Sequence, residues 1–230
     1  MLAFTSVLVA LVYSTTILAN LINVEKRYIT HGLPTPTRNG THDGFYYYFW
    51  TDGQGSVNYT NKAGGQYTVT WSNTGNFFGG KGWSPGSGRN VTYSGSWDGA
   101  QGNSYVSLYG WMQNPLIEYY IVESFGTYDP GSAFSAPKET ITVDGGTYNI
   151  YITRRTIAGG EGPGHWTVLT QLWSVRQQKR VGGTINAQAH LDAWARAGVK
   201  LGNTHTFQIL ATEAYFYKNI GTASITVQGP

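Results

Sequence analysis

The chain has 230 residues, room for one domain with a substantial core. Charged residues make up only 12%, against roughly a quarter in an average protein, while Gly numbers 31, Tyr 17 and Trp 8; this is the profile of a turn-rich, aromatic β protein. A scattered net charge of +3 excludes a nucleic-acid footprint, and the lack of cysteine excludes disulfides, thiolate metal sites and cysteine nucleophiles together.

In chain order, MLAFTSVLVALVYSTTILA is an apolar run free of acids, followed a few residues later by Glu25, Lys26 and Arg27. Its position and the dibasic pair fit a secretory signal plus short pro-segment over residues 1–27 better than a membrane anchor. Acceptor sequons at Asn39, Asn58 and Asn90 agree with export, so a secreted, extracellular glycoprotein is expected, with no membrane association after processing. Residues 28–43 read as a lead-in and 44–230 as a single domain. From Phe45 onward, short runs such as FYYYFW, QYTVTWSN, YVSLYGW, IEYYIVE, TYNIYITRR and TFQILATEAYF alternate between Gly, Asn and Asp turns. That pattern predicts hairpins stacked into an all-β jelly-roll sandwich of two twisted antiparallel sheets. One segment breaks it: INAQAHLDAWARAGV, Ile185 to Val199, has helical spacing and a stop at Gly198, which predicts a single α-helix. The glycine-rich GGEGPG, Gly159 to Gly164, is expected at a mobile hairpin tip.

Only twelve acids are present, so each can be placed. Asp43, Asp52, Asp98 and Asp144 precede Gly and read as turn residues. Glu118, Glu123 and Glu213 alone lie inside apolar strands. In NPLIEYYIVE, Glu118 shares a strand face with Leu116 and Tyr120, whereas Glu123 points the opposite way. A charge in apolar surroundings costs several kcal/mol unless it is paired or neutralised. Glu213 shares its face with Phe207, Ile209, Ala211 and Tyr215. Two strand-borne carboxyls on aromatic faces suit glycoside hydrolysis, in which one attacks as a carboxylate and the other donates a proton. The competing reading is a polar cleft floor in which tyrosines and an arginine merely satisfy both glutamates. Tyr105, Tyr109 and Trp111 alternate onto one face, as do Tyr46, Tyr48 and Trp50. Such rows fit sugar rings, although any single aromatic is more often core filling. Gly82-Trp83-Ser84-Pro85-Gly86 matches G-x-S-x-G only formally, because no strand-turn-helix context surrounds it. The five histidines show no paired ligand spacing, so neither metal nor cofactor is implied.

NPLIEYYIVESFGTYDP, preceded by WSNTGNFFGGKGW and YVSLYGW and followed by QLWSVRQQKRVGGTINAQAHLDAWARAG, closely resembles the family 11 glycoside hydrolases, secreted endo-1,4-β-xylanases. The similarity runs from about Gly44 to Val227. It implies a jelly roll shaped like a partly closed hand, gripping xylan and hydrolysing it with retention. By motif, Glu118 resembles the nucleophile and Glu213 the acid/base, with Tyr109 and Tyr120 beside the nucleophile. Arg155 and Gln171 match residues that hold substrate, and Trp50 matches a tryptophan that stacks on a distal xylose. Tyr105 belongs to the same aromatic wall, Phe207 stands where many relatives have tyrosine, and Asn76 occupies the position beside the acid/base. An amide there is expected to hydrogen-bond Glu213, and an arginine is expected near Glu118. The stretch IAGGEGPGHW departs from the family's Pro-Ser-Ile thumb tip, which places substrate grip in question more than chemistry. The expectation is a monomeric enzyme whose partner is the xylan polysaccharide. Two readings compete with it: a non-catalytic wall-polysaccharide-binding or elicitor-like protein on the same fold, and a glucanase. Retention of both glutamates with their matching neighbours argues against the former.

Overall fold

The computed structural model describes residues 37–158, 166–216 and 218–229. The leader at 1–27 and the Gly159–Gly164 tip therefore lie outside the described residues. In chain order the strands are β1 (Arg38–His42), β2 (Phe45–Thr51), β3 (Ser56–Asn61), β4 (Gln66–Ser72), β5 (Asn76–Trp83), β6 (Asn90–Asp98) and β7 (Ser104–Gln113). There follow β8 (Ile117–Phe125), a 3-10 turn (Pro130–Ala133), β9 (Glu139–Val143), β10 (Gly146–Ala158), β11 (Trp166–Arg176), β12 (Gly183–Asn186), helix α1 (Ala187–Arg196), β13 (Thr204–Tyr215) and β14 (Ile220–Val227). They form a nine-stranded sheet, ordered β1-β2-β5-β13-β7-β8-β11-β10-β9, and a five-stranded sheet, ordered β12-β6-β14-β4-β3. β1 comes from the stretch read as a lead-in and closes the edge of the large sheet.

Turn chemistry accounts for the hairpins. Asp43 and Gly44 (φ 49° and 79°) join β1 to β2, and Asp144 and Gly145 (φ 56° and 67°) join β9 to β10. Two consecutive positive φ values match the right-handed twist of the strands they connect. One pair departs from the antiparallel expectation: β8 and β11 run parallel, with Glu118 opposite Gln171. The intervening chain, which includes the β9–β10 hairpin, is long enough to supply the crossover that a parallel pair needs.

Alternation sorts the large sheet into two apolar layers. Ile117, Tyr119 and Ile121 of β8 pack between the sheets with Tyr67, Val69, Tyr93 and Trp194. Tyr48, Tyr105, Tyr109, Trp111, Tyr120 and Phe207 form a second aromatic cluster. By strand parity it lies on the opposite face of the large sheet, and that face carries the site.

The helix is shorter than its sequence pattern suggests. Ile185 is fully buried but sits in β12, opposite Val91, and Asn186 caps α1 by accepting from the Ala189 N–H at 3.2 Å. His190, buried on the helix, holds Ser174 (2.7 Å to Nδ1) and Asp144 (3.4 Å to Nε2), and Asp144 also accepts from the Asn186 N–H. Ser174, His190 and Asp144 are thus in line, but they anchor the helix beneath the sheet.

Glu123 is a further buried charge. It accepts from Tyr93 at 3.1 Å, from Tyr148 and from Arg180 Nε. Satisfaction by tyrosines and an arginine is therefore realised at this glutamate. Tyr93 belongs to the small sheet and Tyr148 to the large one, so the cluster clamps the two layers together.

Candidate active site

Glu118 and Glu213 are 4% and 7% exposed, each at the floor of the aromatic face. Three donors converge on Glu118: the hydroxyls of Tyr109 and Tyr120, each 2.9 Å from Oε1, and the Gln171 amide, 2.6 Å from Oε2. That set suits an acceptor-only carboxylate. Strand register explains it. Tyr120 follows two residues along β8, Tyr109 lies opposite Tyr120 on β7, and Gln171 lies opposite Glu118 on β11. The rings are themselves held: Trp111 Nε1 donates to the Tyr109 hydroxyl at 2.5 Å, and Trp173 stacks on Tyr120 at 4.0 Å between centroids. Tyr109 and Tyr120 hold their protons far above the usual phenol range, through burial first and then the charges of Glu118 and Glu213. They therefore donate at any ordinary pH.

Glu213 has the opposite character. On β13 it pairs with Phe78 and Tyr105, and among the described residues no side chain hydrogen-bonds its carboxyl. Burial raises its pKa well above the usual carboxylate range, and the nearby charge of Glu118 raises it further. One carboxyl is thus surrounded by donors, and its neighbour favours keeping its proton.

These two residues are distant in the ladder. Glu118 stands opposite Trp111 of β7 and Glu213 opposite Tyr105, six residues apart. At about 3.3 Å per residue, a flat sheet would separate them by roughly 20 Å along the strands. Glu118 nevertheless acts on Glu213, and both act on Tyr109 and Tyr120, so the twisted sheet sets the two carboxyls within electrostatic range of each other.

The other residues singled out from the sequence are distributed around this pair. Trp50 is half-buried and stacks on Phe78, with centroids 6.0 Å apart. Phe207 is buried, edge-on to Tyr48 and Tyr109 at 5.5 and 5.7 Å. Tyr105 is fully buried with its hydroxyl against that of Tyr215, so the half-buried Tyr215 provides the more accessible ring there. Arg155 lies on the Gln171 face by register but is exposed, and among the described residues it makes no ion pair. No arginine forms an ion pair with Glu118 among the described residues, and the donor that reaches it from β11 is the Gln171 amide, which the parallel register delivers directly. Asn76 opens β5 opposite Tyr215 and diagonal to Glu213. Its Oδ1 is buried without a partner among the described residues.

Sequence reasoning missed Trp173, Tyr215 and Phe78. Trp173 follows Gln171 by two residues, so strand period puts both on one face, and the β8–β11 register then sets that face beside Glu118. Among the described residues no group of His, Asp and Glu is arranged to hold a metal.

Two carboxyls within electrostatic range on an aromatic face, one ringed by donors and one inclined to hold its proton, define a glycosidase class of protein. The sequence profile of the glycosyl hydrolases family 11 matches residues 42–226, and the chain belongs to that family. It is 54% identical over 198 residues to endo-1,4-beta-xylanase 4 of Pyricularia oryzae, covering 84% of this chain and 81% of that one. Endo-1,4-beta-xylanase I of Cochliobolus carbonum is 46% identical over 234 residues, spanning 100% of both chains. Ethylene-inducing xylanase 3 of Verticillium longisporum is 45% identical over 230 residues, which cover 100% of this chain and 77% of that protein.

Proposed function

We propose that the chain is an endo-1,4-β-xylanase that hydrolyses internal linkages of xylan with retention, Glu118 serving as nucleophile and Glu213 as acid/base. The observation that carries this reading is the contrast between the three-donor cradle of Glu118 and the raised pKa of Glu213. In the first step Glu213 gives its proton to the glycosidic oxygen as Glu118 bonds to the anomeric carbon, and the carbon–oxygen bond to the leaving chain breaks. Esterification removes the Glu118 charge, and with it one of the two causes that raise the Glu213 pKa. Glu213 then takes a proton from water, whose oxygen displaces Glu118 from the sugar.

Around this centre, Tyr109, Tyr120 and Gln171 hold the nucleophile, and the Trp50 ring stacks on a distal xylose. Phe207, Tyr105, Arg155 and Asn76 shape or line the cleft. Among the described residues no helix is long and apolar enough to cross a membrane. Action outside the cell after removal of residues 1–27 is part of the proposal, as is a monomeric state. Because the ethylene-inducing relative is itself named a xylanase, the elicitor-like reading is compatible with hydrolysis and does not displace it.

The test is reducing-sugar release from xylan, mixed-linkage glucan and carboxymethylcellulose side by side, with xylan strongly preferred. Glu118→Ala and Glu213→Ala should each lower xylan turnover by at least about 10²–10⁴-fold while the chain stays folded. With an activated substrate, azide should restore turnover in both, giving an inverted glycosyl azide from Glu118→Ala and a retained one from Glu213→Ala. Unimpaired turnover by either variant would remove its glutamate from the mechanism.

A further inference from the structure

At the end of the large sheet, Gly44 and the loop after β5 border a cavity of about 540 Å³. Its walls carry the hydroxyls of Thr41, Tyr46, Ser84 and Ser87, the Trp83 ring and the Arg89 side chain, with glycine and proline filling the rest and no Asp or Glu. The volume falls within the range of small-ligand sites, roughly 300–1,000 Å³.

Arg89 is the unusual member. Its guanidinium lies 4.4 Å from the Trp83 ring centroid, and its Nε donates to Ser87 Oγ at 2.8 Å. Stacking and that bond orient the group, yet it is half-buried and forms no ion pair among the described residues. A planar guanidinium held at one edge presents its remaining N–H groups as a fork that matches a carboxylate. Tyr46 also links the cavity wall to the aromatic cluster of the cleft. It sits 5.9 Å from Phe207, which is 5.7 Å from Tyr109, the tyrosine that hydrogen-bonds Glu118.

We propose that this cavity is a subsite for a carboxylate-bearing sugar, a uronic acid branch on the xylan chain. Arg89 pairs with the carboxylate, and the hydroxyls of Tyr46, Ser84 and Ser87 bond to the sugar. A neutral pyranose would use the hydroxyls but leave the oriented cation without a counter-charge, so the unpaired arginine selects the acidic ligand. The inference rests on the xylanase reading and deepens it toward glucuronate-branched substrates.

Three substrates separate the two claims: a glucuronate-branched xylan, the same polymer after reduction of its carboxyls to alcohols, and an unbranched xylo-oligosaccharide. The wild-type kcat/KM should fall about tenfold on carboxyl reduction, as expected for loss of one charge-assisted bidentate pair. Arg89→Gln should treat the branched and reduced polymers alike and cleave the unbranched oligosaccharide at the wild-type rate, with Arg89→Lys intermediate. Equal wild-type rates on the two polymers would overturn the subsite and leave the xylanase reading intact. A loss of thermal stability in Arg89→Gln with unchanged substrate preference would also overturn it, assigning Arg89 to loop packing. Failure to cleave any of the three would instead overturn the xylanase reading. The subsite is then read by calorimetric titration of the Glu118→Ala protein with a glucuronate-bearing oligosaccharide and its carboxyl-reduced form. About tenfold tighter binding of the acid supports the inference, and equal affinities refute it.

Discussion

Glu118 and Glu123 occupy one apolar strand, on opposite faces, and meet different fates. Glu123 is consumed in a clamp between the sheets, whereas Glu118 faces the cleft with three donors. The opposition of faces was legible from the two-residue period of a strand. The partners were not, because Gln171 and Arg180 arrive from 53 and 57 residues away. Glu213 makes a prediction at this scale. Its native pKa is raised, so as pH rises past about 4 the unfolded chain loses a proton that the native state still holds. Native stability therefore declines with rising pH, from the unfolded pKa up to the raised native one. Glu213→Gln removes this dependence. The variant should match wild type near pH 4 and become progressively more stable than it toward pH 7. Denaturant unfolding at several pH values checks this; parallel stability profiles would show that Glu213 titrates normally.

At the scale of elements, α1 shows where pattern and structure part. The apolar periodicity continues back to Ile185, but pairing of β12 with β6 captures that residue, so the helix begins only after Asn186. The C-terminus was legible. Gly198 has φ 89°, its N–H bonds to the Ala195 carbonyl, and the Val199 N–H bonds to that of Trp194. Those two bonds form a Schellman closure, sealed by Val199 and Trp194 in the core. A Cβ added at Gly198 meets nothing within 4 Å, so Gly198→Ala tests backbone conformation alone. It should destabilise the protein by about 1 kcal/mol, measurable as a lower denaturation midpoint with unchanged slope.

At the scale of the molecule, the Glu123 clamp is a charged tie between sheets that also meet through apolar packing and neutral hydrogen bonds such as Tyr67 to Thr212 and Tyr59 to the Gly80 carbonyl. The Glu123 side chain is fully buried and that of Arg180 is 21% exposed. Arg180 further donates to the Asp144 and Thr184 carbonyls, tying the crossover from β11 to β12 into the same cluster. Glu123→Ala leaves Arg180 Nε and two tyrosine hydroxyls without their acceptor. It should cost about 3–5 kcal/mol of unfolding free energy. Because Glu123 faces away from the cleft, xylan hydrolysis by the folded fraction at low temperature should match wild type. A fall in kcat larger than the fall in folded fraction would show that the clamp also shapes the cleft.

Composition, period-two alternation and Asp-Gly turns determined an all-β sandwich with one helix, because each is a local property of a few neighbouring residues. The same locality singled out Glu118, Glu123 and Glu213 as acids within apolar strands. Only the tertiary structure decided what each one meets, a clamp between the sheets for Glu123 and the aromatic face for Glu118 and Glu213. Glu118 and Glu213 stand six β7 residues apart in the ladder, and it is the twisted nine-stranded sheet that sets Glu213 within electrostatic range of Glu118. Twist accumulates over every strand pair, and no single stretch of sequence encodes it.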